Sequence, residues 1–226
     1  MTRAAVAAGA TGPVFVTGGT GYIGRPLIAA ILERGHTVHA LVRAGSESRL
    51  PHGANPVFGS ALEATSFATA IPRGATVVHL VGTPHPSPAK AAEFRRVDLA
   101  SILATVAAAQ TAAARHLVYL SVAHPAPVMS AYVAAREEGE TAVRASGIPA
   151  TILQPWYVLG PGHRWPYLLV PLYALLRAVP ATREGALRLG LVSRRDMVAA
   201  LLEAVEAPPP SAVRILGVPE IRRAGR

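Results

Sequence analysis

Four glycines in "VFVTGGTGYIGRP", residues 14–26, pose the first chemical question. Gly19, Gly21 and Gly24 satisfy G-x-G-x-x-G, and Gly18, Gly21 and Gly24 satisfy G-x-x-G-x-x-G, with Thr20 inside the loop. Bare backbone at such positions allows a tight turn, lets N–H groups reach a pyrophosphate, and seats the following helix close to its strand. The same spacing also reads as a turn that binds nothing. Its context favours the phosphate cradle: the β-branched run "VFVT" precedes it, the helical pattern "YIGRPLIAAILERG" follows, and the alternating "HTVHALVR" completes a β-α-β unit within roughly thirty residues.

A dinucleotide site reads its adenosine ribose at the end of the second strand, where Asp or Glu suits a free 2′-hydroxyl and arginine suits a 2′-phosphate. Here that strand ends "ALVRAGSESR". Arg43 holds the diagnostic position, no carboxylate precedes Glu47, and Ser46 and Arg49 add donors. The expected cofactor is therefore NADP(H), with NAD(H) as the alternative if Arg43 is one more surface arginine.

Positioning these residues requires a sheet. "NPVFG" and "ATVVHLVG" read as a third and a fourth strand, and "FRRVDLASILATVAAAQTAAA" as a long helix with Val97, Ile102, Val106 and Ala109 on one buried face. "HLVYLSV" is a fifth strand, "AYVAAREEGETAVRASG" a helix closed by Gly147, and "PATILQP" a sixth strand. Strands alternating with helices imply an α/β, Rossmann-like, doubly wound parallel sheet. The expectation is a single NAD(P)-binding domain over 1–226, with a small substrate-side lobe at 156–190 before a last helix, "SRRDMVAALLEAVEA", capped by Ser193 and Asp196. The tail after it is expected to add one strand and a loose end.

Composition excludes several other classes. The chain has 226 residues, 51% hydrophobic and 15% charged, enough for one large core. It has no cysteine, which rules out disulfides and thiolate chemistry and fits a cytoplasmic, reducing setting. The eight histidines are scattered without metal-ligand spacing, so no metal is expected. The net charge of +9 comes from dispersed arginines, Lys90 being the only lysine, and a nucleic-acid partner is not expected. The start of the chain reads as a short tail, not a signal peptide. The run at 167–180 is broken by Pro171, Arg177 and Pro180, too short for a transmembrane segment and leaving only a surface-lying helix as a membrane contact.

In the order "TGGTGYIG", "VVHLVG", "HLVYLS", "YVAAR", "RASGIPATILQPWYVLGPG" and "LVSRRDMVAALLEAV", the chain resembles the short-chain dehydrogenase/reductase superfamily over residues 13–206. It is most similar to the extended and atypical branch, which includes sugar-nucleotide epimerases and NAD(P)H-binding proteins of the NmrA type. The resemblance implies that Gly18, Gly21, Tyr22, Ile23 and Gly24 hold the pyrophosphate and that Arg43 meets the ribose phosphate. It puts Leu80, Val81 and Gly82 along the cofactor, Ser60 near the adenine, and Pro155, in "QPWYVLGPG", beside the nicotinamide. Ser121 matches the serine of strand five and Tyr132 the helical tyrosine. Four departures stand out: Arg136 replaces the lysine four residues after the tyrosine, Val122 follows Ser121 where a serine pair is common, Ser60 replaces an acid, and Asp98 and Gln154 stand where asparagine and arginine are usual.

Tyr132 and Arg136 are one turn apart on a shared helix face, so the guanidinium is placed to favour tyrosinate, though it cannot release a proton. Tyr132 also reads as a packed tyrosine and Ser121 as a strand-end residue. Glu137, Glu138 and Glu140 read as a solvated face. Residues 156–173 hold Trp156, Tyr157, Trp165, Tyr167 and Tyr173, five of the twelve aromatics, which suit a bulky apolar small-molecule substrate, the core of the small lobe, or a homodimer contact. Two functions remain open from the residues. One is an NADP(H)-dependent oxidoreductase or epimerase-like enzyme acting on a carbonyl or carbinol, with Tyr132 as acid/base, Ser121 orienting the oxygen and Arg136 supporting Tyr132. The other is a non-catalytic NAD(P)(H)-binding module read by a partner.

Overall fold

In a computed structural model, which describes residues 12–161, 179–210 and 212–226, apolar strands stack into one seven-stranded parallel sheet in the order β3-β2-β1-β4-β5-β6-β9. The strands are β1 (Pro13–Thr17), β2 (Thr37–Val42), β3 (Asn55–Phe58), β4 (Thr76–His79), β5 (His116–Leu120), β6 (Ala150–Gln154) and β9 (Val213–Gly217). A separate parallel pair joins β7 (Tyr157–Leu159) to β8 (Leu191–Ser193). Among the described residues the α-helices are α1 (Gly24–Glu33), α2 (Ala91–Glu93), α3 (Ala100–Thr111), α4 (Ser130–Ala145), α5 (Pro180–Arg188), α6 (Arg194–Glu206) and α7 (Val218–Ala224).

Alternate residues of each strand feed two cores. Val14 and Val16 face Leu27, Ile28, Met197 and Leu201, whereas Phe15 faces Phe67, Ile102 and Tyr119 on the opposite side. Both faces of the central strands are covered, which is why these strands read as nearly unbroken apolar runs, whereas Phe58 on β3 and Ile215 on β9 stay exposed at the edges. The chain leaves β1 toward β2 and β3, then returns to pair β4 with the other side of β1. Loops at the carboxyl ends of β1 and β4 diverge at this switch point and open a crevice.

The predicted strands at residues 14–17, 36–43, 55–59 and 116–122 agree with β1, β2, β3 and β5, and Ser193 with Asp196 forms a capping box on α6. Two expectations need correction. The long helix is interrupted by a π turn at Phe94–Leu99. The wider turn rotates the buried face onto Phe94, Asp98, Leu99 and Ile102, leaving Val97 only half-buried. The tail is not a loose end: after β9 the chain forms α7, whose Val218 and Ile221 are buried, so α6 is not the last helix. The N-terminal tail through Thr11 and the core of the substrate-side stretch at 162–178, including Trp165, Tyr167 and Tyr173, lie outside the described residues. Among the described residues no helix is long and apolar enough to cross a membrane, and no cluster suits a metal ion.

Two core histidines give the fold a pH dependence. His79 at the end of β4 contacts Thr17 and Thr105 Oγ1 at 2.9 Å each, and burial, followed by the charge of Arg136, lowers its pKa to about 3. Burial, then Arg214 and Arg115, lowers His116 to about 4. Both are neutral when folded, whereas an unfolded histidine takes up a proton near pH 6.5. Their contribution is therefore complete above about pH 6.5 and declines by roughly 1.4 kcal/mol per pH unit for each histidine as pH falls toward 4. Urea unfolding at pH 7.5, 6 and 5 is expected to show this decline, and a flat profile contradicts it.

Candidate functional site

Residues at the ends of β1 and β4 build a cleft of about 370 Å³, lined by Gly18, Gly21, Tyr22, Ile23, Gly24, Leu80, Gly82, Thr83, Pro84, His85 and Leu120. Gly18 turns with φ +76°, and a Cβ there would lie 2.8 Å from the Leu80 carbonyl carbon, so the two loops meet backbone to backbone. A Cβ on Gly24 would overlap the Gly18 carbonyl oxygen and lie 2.8 Å from Gly19 Cα, which makes glycine obligatory where α1 starts. The turn is closed by Gly21 N donating to Gly18 O at 3.1 Å. The loop thus has the tight turn and close helix seat that a pyrophosphate needs, and the cleft has the size of a small-molecule site.

Of the expected cofactor residues, Gly18, Gly21, Tyr22, Ile23, Gly24, Leu80 and Gly82 come together on this cleft. Gly19 is buried behind it, where a Cβ would meet Ile28, while Thr20 and Val81 are half-buried and do not line it. Arg43 is exposed just past β2, and Ser60 is half-buried just past β3. Arg49 donates to Ser46 Oγ at 3.2 Å beside Arg43 in sequence. Pro155 is buried after β6, its carbonyl accepting from Ala123 N at 2.9 Å.

Arg136 is not turned toward open cleft. It is buried, and its Nη2 donates to Asp98 Oδ1 at 2.6 Å while Nη1 donates to the Leu120 carbonyl at 2.9 Å. Its guanidinium carbon sits 5.2 Å from the centre of the Tyr132 ring. Burial alone would lower the pKa of Arg136, but Tyr132, Tyr119 and Asp98 together raise it, so the group stays charged. Asp98 Oδ2 accepts from the Thr83 amide at 3.0 Å and the Thr83 hydroxyl at 2.6 Å. Two departures from the family pattern, 38 positions apart, are thus one contact that ties α4 to the cleft wall. Gly82 makes room for it, because a Cβ there would fall on the Arg136 guanidinium.

Tyr132 is half-buried, its ring edge-on to Phe94 at 5.0 Å. Ser121 is buried directly after Leu120, which lines the cleft. Its hydroxyl donates to Glu140 Oε1 at 2.6 Å, and the same oxygen accepts from Gln154 Nε2 at 2.8 Å. Glu140 therefore departs from the expected solvated face: it is fully buried, while Glu137 and Glu138 are exposed. The signal was present in the spacing, since 132, 136 and 140 recur at four-residue intervals along one helix face. His124, which contacts Glu140 Oε1 at 3.2 Å and Glu137 at 2.9 Å, had no such signal because it lies in a loop.

Trp156 and Tyr157 pack edge to face at 5.6 Å at the start of the aromatic stretch. Burial raises the Tyr157 pKa.

Comparison with known proteins agrees with this geometry. The NAD(P)H-binding family model matches residues 18–208. A ceramide reductase of Caulobacter vibrioides (strain NA1000 / CB15N) is 29% identical over 223 residues, covering 97% of this chain and 68% of that protein. A 3-diazoavenalumate denitrifying reductase of a Streptomyces species is 34% identical over 178 residues, covering 66% of this chain and 57% of that protein. Beyond the ceramide reductase, the chain spans about half the length of such relatives, 57% and 50% in two of them. A short-chain dehydrogenase/reductase superfamily protein of Agrobacterium tumefaciens with bound NAD superposes with TM-score 0.66 at 20% identity, covering 91% of this chain and 77% of that one. The dTDP-glucose 4,6-dehydratase DesIV of Streptomyces venezuelae, with NAD and TYD bound, gives TM-score 0.67 at 20% identity over 91% and 75% of the two chains. With the glycine loop, its cleft and the parallel sheet all in place, the chain belongs to the NAD(P)H-binding family and has the Rossmann-like fold of the short-chain dehydrogenases/reductases.

Proposed function

We propose that the protein is an NADP(H)-dependent oxidoreductase acting on a carbonyl or carbinol of an apolar small molecule. The observation that carries this reading is the cleft itself, lined by Gly18, Gly21 and Gly24 and reaching Leu120, the residue before Ser121. In this reading Gly18 to Gly24 hold the pyrophosphate, Leu80 to Gly82 and Pro155 flank the nicotinamide, and Ser60 lies toward the adenine. Bound NADP(H) supplies hydride chemistry. Tyr132 transfers a proton to or from the substrate oxygen, Ser121 orients that oxygen, and Arg136 fixes the Tyr132 ring by stacking on it. The reductase names of several relatives support the same class of reaction.

The preference for NADP(H) rests on Arg43, exposed at the end of β2 with no carboxylate before Glu47. A charge-assisted bond to a 2′-phosphate contributes about 1.5–3 kcal/mol, so Arg43→Ala is expected to weaken NADPH roughly tenfold to a hundredfold and leave NADH nearly unchanged. Fluorescence titration with both nucleotides at one salt concentration checks this; equal affinity of the unaltered protein for both contradicts the preference.

A second reading, a nucleotide-binding module without turnover, is favoured by one observation. Arg136 is committed to Asp98 and Leu120, so it cannot take the ribose and proton-relay role of the lysine found at this position in the family.

A further inference from the structure

Each turnover through Tyr132 uses a proton that must be replaced, and Arg136 cannot release one. Another chain of groups runs from the end of β5 to the surface. Ser121 Oγ donates to Glu140 Oε1 at 2.6 Å, His124 Nε2 stands 3.2 Å from that oxygen, and the His124 side chain is 22% exposed. We propose, on the oxidoreductase reading above, that Ser121, Glu140 and His124 form a proton relay linking solvent to the reacting oxygen.

His124 has partners in either protonation state, as a relay requires. Gln154 Nε2 lies 2.8 Å from Glu140 Oε1 and 2.9 Å from His124 Nε2. An amide nitrogen there serves both with its two hydrogens, whereas an amide oxygen would oppose the carboxylate. The neutral ring then donates from Nδ1 to Glu137 at 2.9 Å and accepts from Gln154 at Nε2. The charged ring donates to Glu137 and to Glu140 instead. Among the described residues, the other ionisable groups facing this cluster are Arg144, which holds Glu140 Oε2 at 3.0 Å, and Tyr119 with Arg136 on the β5 side of α4.

After reduction the product hydroxyl, formed with the proton of Tyr132, returns that proton to the phenolate as it takes the one on Ser121. In the same shift Ser121 takes a proton through Glu140 from the His124 imidazolium. Glu140 ends as it began, Tyr132 is restored, and neutral His124 recharges from water. The relay moves one proton and no electrons.

Two measurements test it. The first is ¹⁵N NMR of the histidine rings in the nucleotide-free protein. The relay predicts that neutral His124 carries its proton on Nδ1 and that Ser121→Ala and Glu140→Gln each change its ring shifts; a ring indifferent to both overturns the connection. The second is reduction of 4-nitrobenzaldehyde by NADPH. His124→Ala is expected to lower kcat roughly tenfold to a hundredfold with KM changed less than about twofold, and added imidazole is expected to restore part of kcat. An unchanged kcat, or a loss that imidazole does not rescue, overturns the relay while the enzyme reading stands. Wild-type protein that binds NADPH but reduces none of 4-nitrobenzaldehyde, acetophenone and 2-decanone overturns the enzyme reading and, with it, the relay's role, even if the NMR coupling is present.

Discussion

Asp98→Ala is expected to lower the unfolding free energy by about 3–5 kcal/mol, a large share of what a single domain holds in reserve. Asp98 is fully buried, and removing it strands the Arg136 guanidinium in the core without its counter-charge, beside the Leu120 carbonyl and Tyr119. Arg136→Met is expected to cost a similar amount, because it leaves a buried carboxylate whose remaining donors both come from Thr83. The paired change Asp98→Leu with Arg136→Met removes both charges, and should fall short of the summed single losses by roughly 1–3 kcal/mol. Urea unfolding of the four proteins measures the coupling, and additive losses would show that the two groups do not act as a pair. The single variants should also weaken NADPH, since Thr83 belongs to the cleft wall that Asp98 anchors.

Tyr132→Phe tests the chemistry with little disturbance to the fold. The ring contacts to Phe94 and to the Arg136 guanidinium survive without the hydroxyl. A positioned acid or base contributes about 10²–10⁴ in rate, so kcat should fall by at least a hundredfold while NADPH affinity stays within about twofold. Steady-state reduction of 4-nitrobenzaldehyde beside a nucleotide titration separates the two effects. Undiminished turnover would remove Tyr132 from the mechanism and leave it as a packing residue over Arg136.

The parts of the protein that depend on local pattern are legible in the sequence. Apolar runs of strand length punctuated by glycine gave the order of β1 to β6, and the spacing of Gly18, Gly21 and Gly24 gave the turn, because strand burial and close helix seating leave direct marks on residue type. What depends on contacts between distant segments was not readable. Nothing local marks Asp98 as the partner of Arg136, although both stood out as unusual, and a π turn that adds no characteristic residue brings Asp98 to the inner face. Glu140 looked like its exposed neighbours Glu137 and Glu138 because charge alone does not reveal burial; its place beneath Ser121 follows from the face it shares with Tyr132. The short helix α7 leaves no helical signal in the sequence because its seven residues include a proline and three charges, and it is held by packing against α6 and not by propensity.

Enzyme and silent binding module differ in one result, the fate of the hydride. The protein should be incubated with NADPH deuterated at the transferable C4 position and, separately, with 4-nitrobenzaldehyde, acetophenone and 2-decanone, and the products examined by mass spectrometry. The oxidoreductase account predicts deuterium on the carbinol carbon of at least one product, lost in Tyr132→Phe. Saturating NADPH binding with no deuterated alcohol from any of the three would contradict it and leave the protein a nucleotide-binding module.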